Sequence, residues 1–419
     1  MLAMQLTAAK TFPKGKVFNE GRRTLVERSL SANQSTLVFS EPATNRPQST
    51  LEMPVPVPQI FQYDYVPETK EDLDWADLAT IDLSKFNNPE GRKELTQTLL
   101  EAIRTKGFFY VINFGIPQEK VDRQYALGSN FYDLSLEEKS KYIPDLDNGE
   151  YNGYRPAGRN VLGGGIRDRI EVYNIPKFDG YHKRDHPDVI KQNIGEIEEF
   201  ARSLHTNVLD PLHVLIALAL ELPEDYFTNL HKYSNPSEDH LRYMMYRHFS
   251  PEETKTIQSN DGLYTLGHTD LGTLTLLFRQ PVAALQIRDH ETGNWKWAKP
   301  LDGSLTVNTC DALSFLTGGY IKSTVHRVSI PPKDQQQYDR LGLLYFARPQ
   351  NDLPLATVGS PLLKREGFDK NEFERGGYKV PTMGEFVQLK QKWQQTKRTT
   401  HREGDGSQIL PGFEGKYHD

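Results

Sequence analysis

The sequence predicts a mainly β protein with flanking helices, and three features carry that expectation. Apolar residues spaced three to four apart mark helices in the first half of the chain, as in Leu95, Leu99 and Ile103. Short runs rich in β-branched and aromatic residues mark buried strands, beginning with Phe108-Phe109-Tyr110-Val111-Ile112. In the second half, His268 and Asp270 stand two apart in a strand-like run, and positions i and i+2 of a strand share a face.

Taken in order, residues 1–58 read as an extension and linker that is poorly ordered. Lys10, Lys14, Lys16, Arg22, Arg23 and Arg28 outnumber the acids there, and amphipathic helical patterning is poor. Alternating Pro and Val from Pro54 to Pro58 suggest extended chain. A helix is expected over 92–106, ended by Gly107, with a buried strand and turn running on to Pro117. Ile190, Ile194, Ile197, Ala201, Leu204 and Val208 keep helical spacing, and Pro211 is expected to kink or divide that helix. His205 and His213 read as packing or surface histidines, and Met244 and Met245 as core. A last helix is expected over 385–397, followed by a Gly-rich, mobile tail after Arg402. The expected organisation is therefore a helical N-terminal region over 76–225, a β core over 226–352, and a C-terminal helix and tail over 353–419.

The chemistry begins with His268, Asp270 and a second histidine far downstream, His326. Two imidazoles and one carboxylate can hold one face of an octahedron around non-haem Fe(II), leaving the other positions open to substrate and O2. The His-x-Asp pair alone would equally suit a hydrogen-bonded pair on a surface strand. A structural zinc site is the other ordinary reading, but such sites are usually closed and rich in Cys. This chain has one cysteine, Cys310, so a closed thiolate site is excluded.

The context of the two histidines decides between these readings. His268-Thr269-Asp270-Leu271-Gly272-Thr273-Leu274-Thr275-Leu276-Leu277 is followed by Leu285-Gln286-Ile287-Arg288 and Asn294-Trp295-Lys296-Trp297. Then come Leu305-Thr306-Val307-Asn308, Asp311-Ala312-Leu313, and Gly318-Gly319-Tyr320-Ile321-Lys322-Ser323 leading into His326-Arg327-Val328. In order and spacing these runs resemble the isopenicillin N synthase-like branch of the Fe(II)/2-oxoglutarate dioxygenases, which includes flavonol synthases, anthocyanidin synthases and gibberellin oxidases. Upstream, Thr80-Ile81-Asp82-Leu83-Ser84 and the run from Gly107 to Pro117 resemble the same family, with Phe114 where His is common. The likeness covers about residues 76 to 352 and implies a double-stranded β-helix, a jelly roll of two facing antiparallel sheets flanked by helices.

The resemblance also implies roles. His268, Asp270 and His326 would be the catalytic metal ligands. Arg340, in Arg340-Leu341-Gly342-Leu343-Leu344-Tyr345-Phe346-Ala347-Arg348-Pro349, would clamp the far carboxylate of 2-oxoglutarate, as a guanidinium can through two parallel hydrogen bonds. Gly342 stands where the family's Arg-x-Ser pattern has serine, and losing one hydrogen bond to a charged acceptor costs roughly 1.5–3 kcal/mol. Tyr246 matches a tyrosine that helps hold the co-substrate, while Met244 replaces its companion asparagine. Phe346, with Tyr151, Tyr154 and Arg155 of a loop that approaches the pocket in relatives, would meet the substrate; that loop also reads as ordinary surface turn chemistry. The expected cofactors are Fe(II), 2-oxoglutarate as co-substrate and O2, with allowance for stimulation by ascorbate. The implied reaction is hydroxylation, desaturation or ring modification of a small specialised metabolite, with release of succinate and CO2.

Composition narrows the partners. The chain has 419 residues, a net charge of −6 and no concentrated basic face, which gives no reason to expect nucleic acid. No apolar run is long enough to span a bilayer. A single cysteine suits a reducing compartment, so a cytoplasmic location is expected, with organellar targeting by the extension as the lesser reading. Three alternatives stay open on sequence: an iron oxidase of this fold that does not use 2-oxoglutarate, a non-catalytic binding module, and a zinc hydrolase using the same three ligands.

Overall fold

The strand β1 (Thr80–Asp82) pairs in parallel with β2 (Phe108–Ile112), and the helix Pro89–Thr105 crosses between them. The computed structural model describes residues 62–397, 407–415 and 418, so the expected extension over 1–58 lies outside the described residues. Asn88 caps the first helix by accepting from Gly91 N–H at 2.9 Å, Pro89 opens it, and Leu95, Leu99, Ala102 and Ile103 form its buried stripe. Gly107 turns the chain at φ +66°; a Cβ there would stand 2.1 Å from Thr324 Oγ1, so only glycine fits.

Next come the helix Gln118–Asp133 and the strands β3 (Gly153–Arg155) and β4 (Ile170–Pro176). The long apolar stripe from Ile190 to Val208 is not one helix. Ile190 sits on the short helix Asp188–Lys191, and the stripe continues in Ile194–Leu204, a π-helical turn over His205–Leu209, and the helix Asp210–Ala219. Pro211 falls in the first turn of that last piece, where its missing N–H and ring are accommodated by the wider turn before it.

The remaining strands of the core follow quickly. They are β5 (His240–Tyr246), β6 (Leu263–His268), β7 (Leu274–Phe278), β8 (Leu285–Arg288) and β9 (Trp295–Trp297), then β10 (Ser304–Thr309), β11 (His326–Ser329) and β12 (Arg340–Ala347). Eight strands form one sheet in the order β1-β2-β10-β7-β12-β5-β4-β3, and four form a second in the order β6-β11-β8-β9. The two sheets make the double-stranded β-helix, with the helices packed against the larger one. Four strands of the larger sheet, β1 to β4, come from the helical N-terminal region; β2 falls on the strand expected there, whereas β3 and β4 were not expected. The β core therefore draws on residues well upstream of 226.

After β12 the chain forms the helices Pro361–Glu366, Glu372–Gly376 and Met383–Lys397. The tail expected to be mobile instead contains a hairpin, β13 (Ser407–Leu410) with β14 (Phe413–Gly415). Phe413 holds it down, with its ring 5.3 Å from Phe315 and 5.5 Å from Phe386, centre to centre. His418 pairs with Gly267 on β6, one residue before His268. Among the described residues no helix is long and apolar enough to cross a membrane.

Candidate metal centre and its cavity

His268 ends β6 and His326 opens β11, and the register of these two strands puts them directly opposite one another. Asp270 lies two residues beyond the end of β6, in a turn rather than on the strand itself. Strand alternation therefore aims only the histidine; the turn has to place the carboxylate. Several bonds pin that turn. Asp311 N–H donates to Asp270 O at 2.9 Å, Thr273 N–H to Ala347 O at 2.9 Å, and Cys310 N–H to Thr273 O at 3.1 Å. Gly272 permits this closeness, since a Cβ there would meet Ala347 O at 2.1 Å.

The three side chains converge. His268 Nε2 is 3.9 Å from Asp270 Oδ1, His326 Nε2 is 3.7 Å from Asp270 Oδ2, and all three potential ligand atoms lie within 4.8 Å of one another. Each histidine's Nδ1 faces a backbone carbonyl, Leu266 O at 3.0 Å and Thr324 O at 3.1 Å. Donation there fixes the tautomer and leaves both Nε2 lone pairs pointing at the gap, the arrangement a metal ligand needs. Asp270 Oδ2 also accepts from Thr275 Oγ1 at 2.9 Å and Asn308 Nδ2 at 3.0 Å. Burial would raise its carboxyl, but the His326 and His268 imidazoles and these two hydrogen bonds outweigh burial and hold it well below the usual carboxylate range. Two imidazoles and an ionised carboxylate, with no thiolate, are a donor set that fits Fe(II).

The triad forms part of the wall of a cavity of about 190 Å³. Arg340 closes one end. It is 7% exposed, its Nε has no hydrogen-bond partner among the described residues, and its guanidinium lies 5.2 Å from the centre of the Tyr246 ring. Tyr246 is its direct cross-strand partner. A buried cation without an anion beside it is costly, so this end of the cavity fits a carboxylate ligand. Met244 and Leu344 supply an apolar wall beside it, and Gly342 adds no side chain.

The expected substrate residues divide. Phe346, Tyr151 and Arg155 line the cavity, with Arg155 paired to Asp168 at 3.4 Å. Tyr154 does not line it. Successive side chains of a strand face opposite ways, and Tyr154 on β3 is buried on the other side, donating to Glu171 Oε2 at 2.5 Å. The expectation that Tyr154 meets substrate is therefore corrected. Sequence reasoning also missed residues the cavity uses: Thr275 and Asn308 behind Asp270, Arg242 and Arg348 on the wall, and Gln391 and Gln394 from the helix Met383–Lys397. Polar residues at inward positions of otherwise apolar strands were the available signal for Thr275 and Asn308. Arg348 had none, because it lies just past the end of β12.

Residues 78–194 match the family described as non-haem dioxygenase in morphine synthesis, N-terminal, and residues 239–349 match the 2OG-Fe(II) oxygenase superfamily. Among curated proteins, the chain is 28% identical over 321 residues to 1-aminocyclopropane-1-carboxylate oxidase of Dictyostelium discoideum, covering 68% of this chain and 85% of that one. It is 30% identical over 282 residues to azadirone synthase of Melia azedarach, covering 63% and 81%. Its fold is similar to that of Neurospora crassa T7H solved in complex with alpha-KG, with a TM-score of 0.65 and 23% identity over 77% of this chain and 99% of that one.

Proposed function

The chain belongs to the non-haem Fe(II)- and 2-oxoglutarate-dependent dioxygenases, and we propose that it oxidises a small specialised metabolite by hydroxylation, desaturation or ring modification. Bound iron supplies the redox chemistry of this family, using O2 and 2-oxoglutarate, which leaves as succinate and CO2. In our reading His268, Asp270 and His326 hold the metal, and Thr275 and Asn308 hold Asp270 in place. Arg340 takes the far carboxylate of 2-oxoglutarate through its guanidinium, with Tyr246 beside it. Phe346, Tyr151 and Arg155 contribute to the substrate's surroundings. The apolar walls keep water from the reacting centre, and they strengthen each charged contact by lowering the local dielectric.

The observation that carries this reading is one cavity holding both features: a His/Asp/His cluster, and a buried guanidinium with no anion paired to it among the described residues. Its modest volume, below the roughly 300–1,000 Å³ of pockets for drug-sized ligands, favours a small substrate. Relatives named for azadirone and for 1-aminocyclopropane-1-carboxylate support a small molecule too. The test is anaerobic titration of the Fe(II) protein with 2-oxoglutarate. A saturable visible charge-transfer band is expected. Iron binding without such a band would remove the co-substrate from this cavity.

A further inference from the structure

We propose that the substrate carries a carboxylate and that Arg348 seats it. This rests on the reading above, in which Arg340 belongs to 2-oxoglutarate, and it adds the chemical class of the substrate.

The argument starts from charge. Four arginines line the cavity, Arg155, Arg242, Arg340 and Arg348, while among the described residues the only lining carboxylate is Asp270. Asp168 answers Arg155, and the co-substrate answers Arg340. Arg348 is 2% exposed; its backbone N–H donates to Asp239 Oδ1, but among the described residues its guanidinium has no carboxylate within ion-pair distance and its Nε has no hydrogen-bond partner. Its Nη1 donates to the Tyr151 hydroxyl at 2.7 Å, and that hydroxyl donates in turn to Glu238 Oε2 at 2.6 Å. Glu238 is thus one residue removed, and His182 faces the same oxygen at 2.9 Å. The guanidinium keeps donors to spare, since an arginine has five N–H groups.

Position separates this group from the co-substrate's clamp. Arg340 and Arg348 are eight residues apart along extended chain, about 26 Å at 3.3 Å per residue. A five-carbon diacid anchored on Arg340 and the metal cannot also reach Arg348. The Arg348 stem runs beside the turn that follows Asp270, because a Cβ at Gly272 would stand 3.2 Å from Arg348 Cγ. An anion on Arg348 would therefore lie on the metal's side of the cavity. Next to it, Phe346 offers an apolar platform. Its ring stacks on His240 at 4.6 Å, and the Arg242 guanidinium sits 4.4 Å from its centre. A carboxylate on Arg348 with an apolar body against Phe346 satisfies both surfaces.

The test uses the full chain loaded with Mn(II) and N-oxalylglycine, an unreactive analogue of 2-oxoglutarate. Benzoate, phenylacetate, 3-phenylpropanoate and hexanoate are each compared by calorimetry with the matching amide. At least one acid is expected to bind ten-fold more tightly than its amide. R348Q should abolish that preference while changing N-oxalylglycine affinity less than two-fold, and R348K should keep part of it. If no acid in the panel is preferred over its amide by the unmodified protein, the proposal is overturned whether or not any variant folds. It also falls if R348Q keeps the preference. A large loss of N-oxalylglycine affinity in R348Q would assign the arginine to the co-substrate instead. Failure of N-oxalylglycine to bind the unmodified protein would sink the underlying reading, and that result is seen before any acid is added.

Discussion

Gly342 on β12 and Met244 on β5 stand directly opposite one another, two residue pairs along from Arg340–Tyr246 and on the same face of the sheet. These are the two positions at which the chain departs from the Arg-x-Ser and Asn-x-Tyr pattern of the family it resembles. The departures therefore meet at a single place: the Arg340–Tyr246 pair keeps the polar clamp, and the next pair on the same face has become apolar. A Cβ at Gly342 would lie 3.7 Å from Met244 Cβ and 3.2 Å from Leu344 Cδ1, so the methionine and leucine have closed over part of the space a hydroxymethyl group would take.

That geometry bears on the effect of restoring the serine. Gly342→Ser adds a donor beside the Arg340 clamp, and Leu344 must give by a few tenths of an ångström to admit it. Net gain from one hydrogen bond to a charged acceptor is about 1.5–3 kcal/mol before that adjustment. The expected result is up to about ten-fold tighter 2-oxoglutarate binding in the anaerobic titration, since each 1.4 kcal/mol is a factor of ten. Unchanged or weaker binding would mean that Leu344 holds its place.

Arg340→Ala removes the buried guanidinium proposed to take the far carboxylate of 2-oxoglutarate. The 2-oxoglutarate requirement should rise about a hundred-fold or more, as expected for loss of a charge-assisted pair. Iron content, measured by metal analysis, should stay near one per chain because none of the three proposed ligands is touched. An unchanged requirement would hand the clamp to another residue.

His268→Ala, Asp270→Ala and His326→Ala each take one of three converging ligand atoms. Each should abolish succinate formation and sharply lower retained iron. Near-normal turnover in any one variant would remove that residue from the metal set.

Buried histidines predict an acid-sensitive fold. Burial holds the His231 imidazole down to about 4, against 6.5 in the open, and drives His213 and His240 well below their ordinary value. A folded-state value below the unfolded one stabilises the protein above pH 6.5, and that stabilisation is lost as pH falls through 6.5 toward 4. For His231 alone the loss amounts to about 3 kcal/mol. Thermal melts of the metal-free protein should therefore drop steeply between pH 6.5 and 4, and His231→Gln should flatten that slope. A slope equal to wild type would show that His231 is not a neutral group in the folded state.

The convergence of the proposed metal ligands was legible in sequence because these residues are few, chemically distinctive and embedded in runs with a fixed order. The route to Asp270 was not. Alternation along a strand suggested a shared face, whereas the carboxylate is delivered by a turn held through Thr273, Cys310 and Asp311. Tyr154 shows the opposite failure. Alternation along β3 means that Tyr154 and Arg155 cannot both reach the cavity, but which of them does depends on how β3 pairs with β4. The break in the helix before Pro211 was foreseen, while the π-helical turn that absorbs it was not. Arg348 needed the folded protein, since only the fold shows that its guanidinium lines the cavity with no carboxylate among the described residues at ion-pair distance.

The place of β2 between β1 and β10 has a kinetic consequence. Asn308 pairs with Phe108, 200 residues earlier in the chain, and Phe108 in turn sets its ring edge-on to His326 at 5.5 Å. One wall of the cavity thus depends on closing a very long loop, an entropic toll paid before any pairing rewards it. Folding of this sheet should be slow, and the segment 226–352 expressed alone would leave β10 with an open, sticky edge. Catalysis therefore cannot be carved out as a portable core: the proposed ligands sit in the second half of the chain, but the chamber that makes them useful belongs to both.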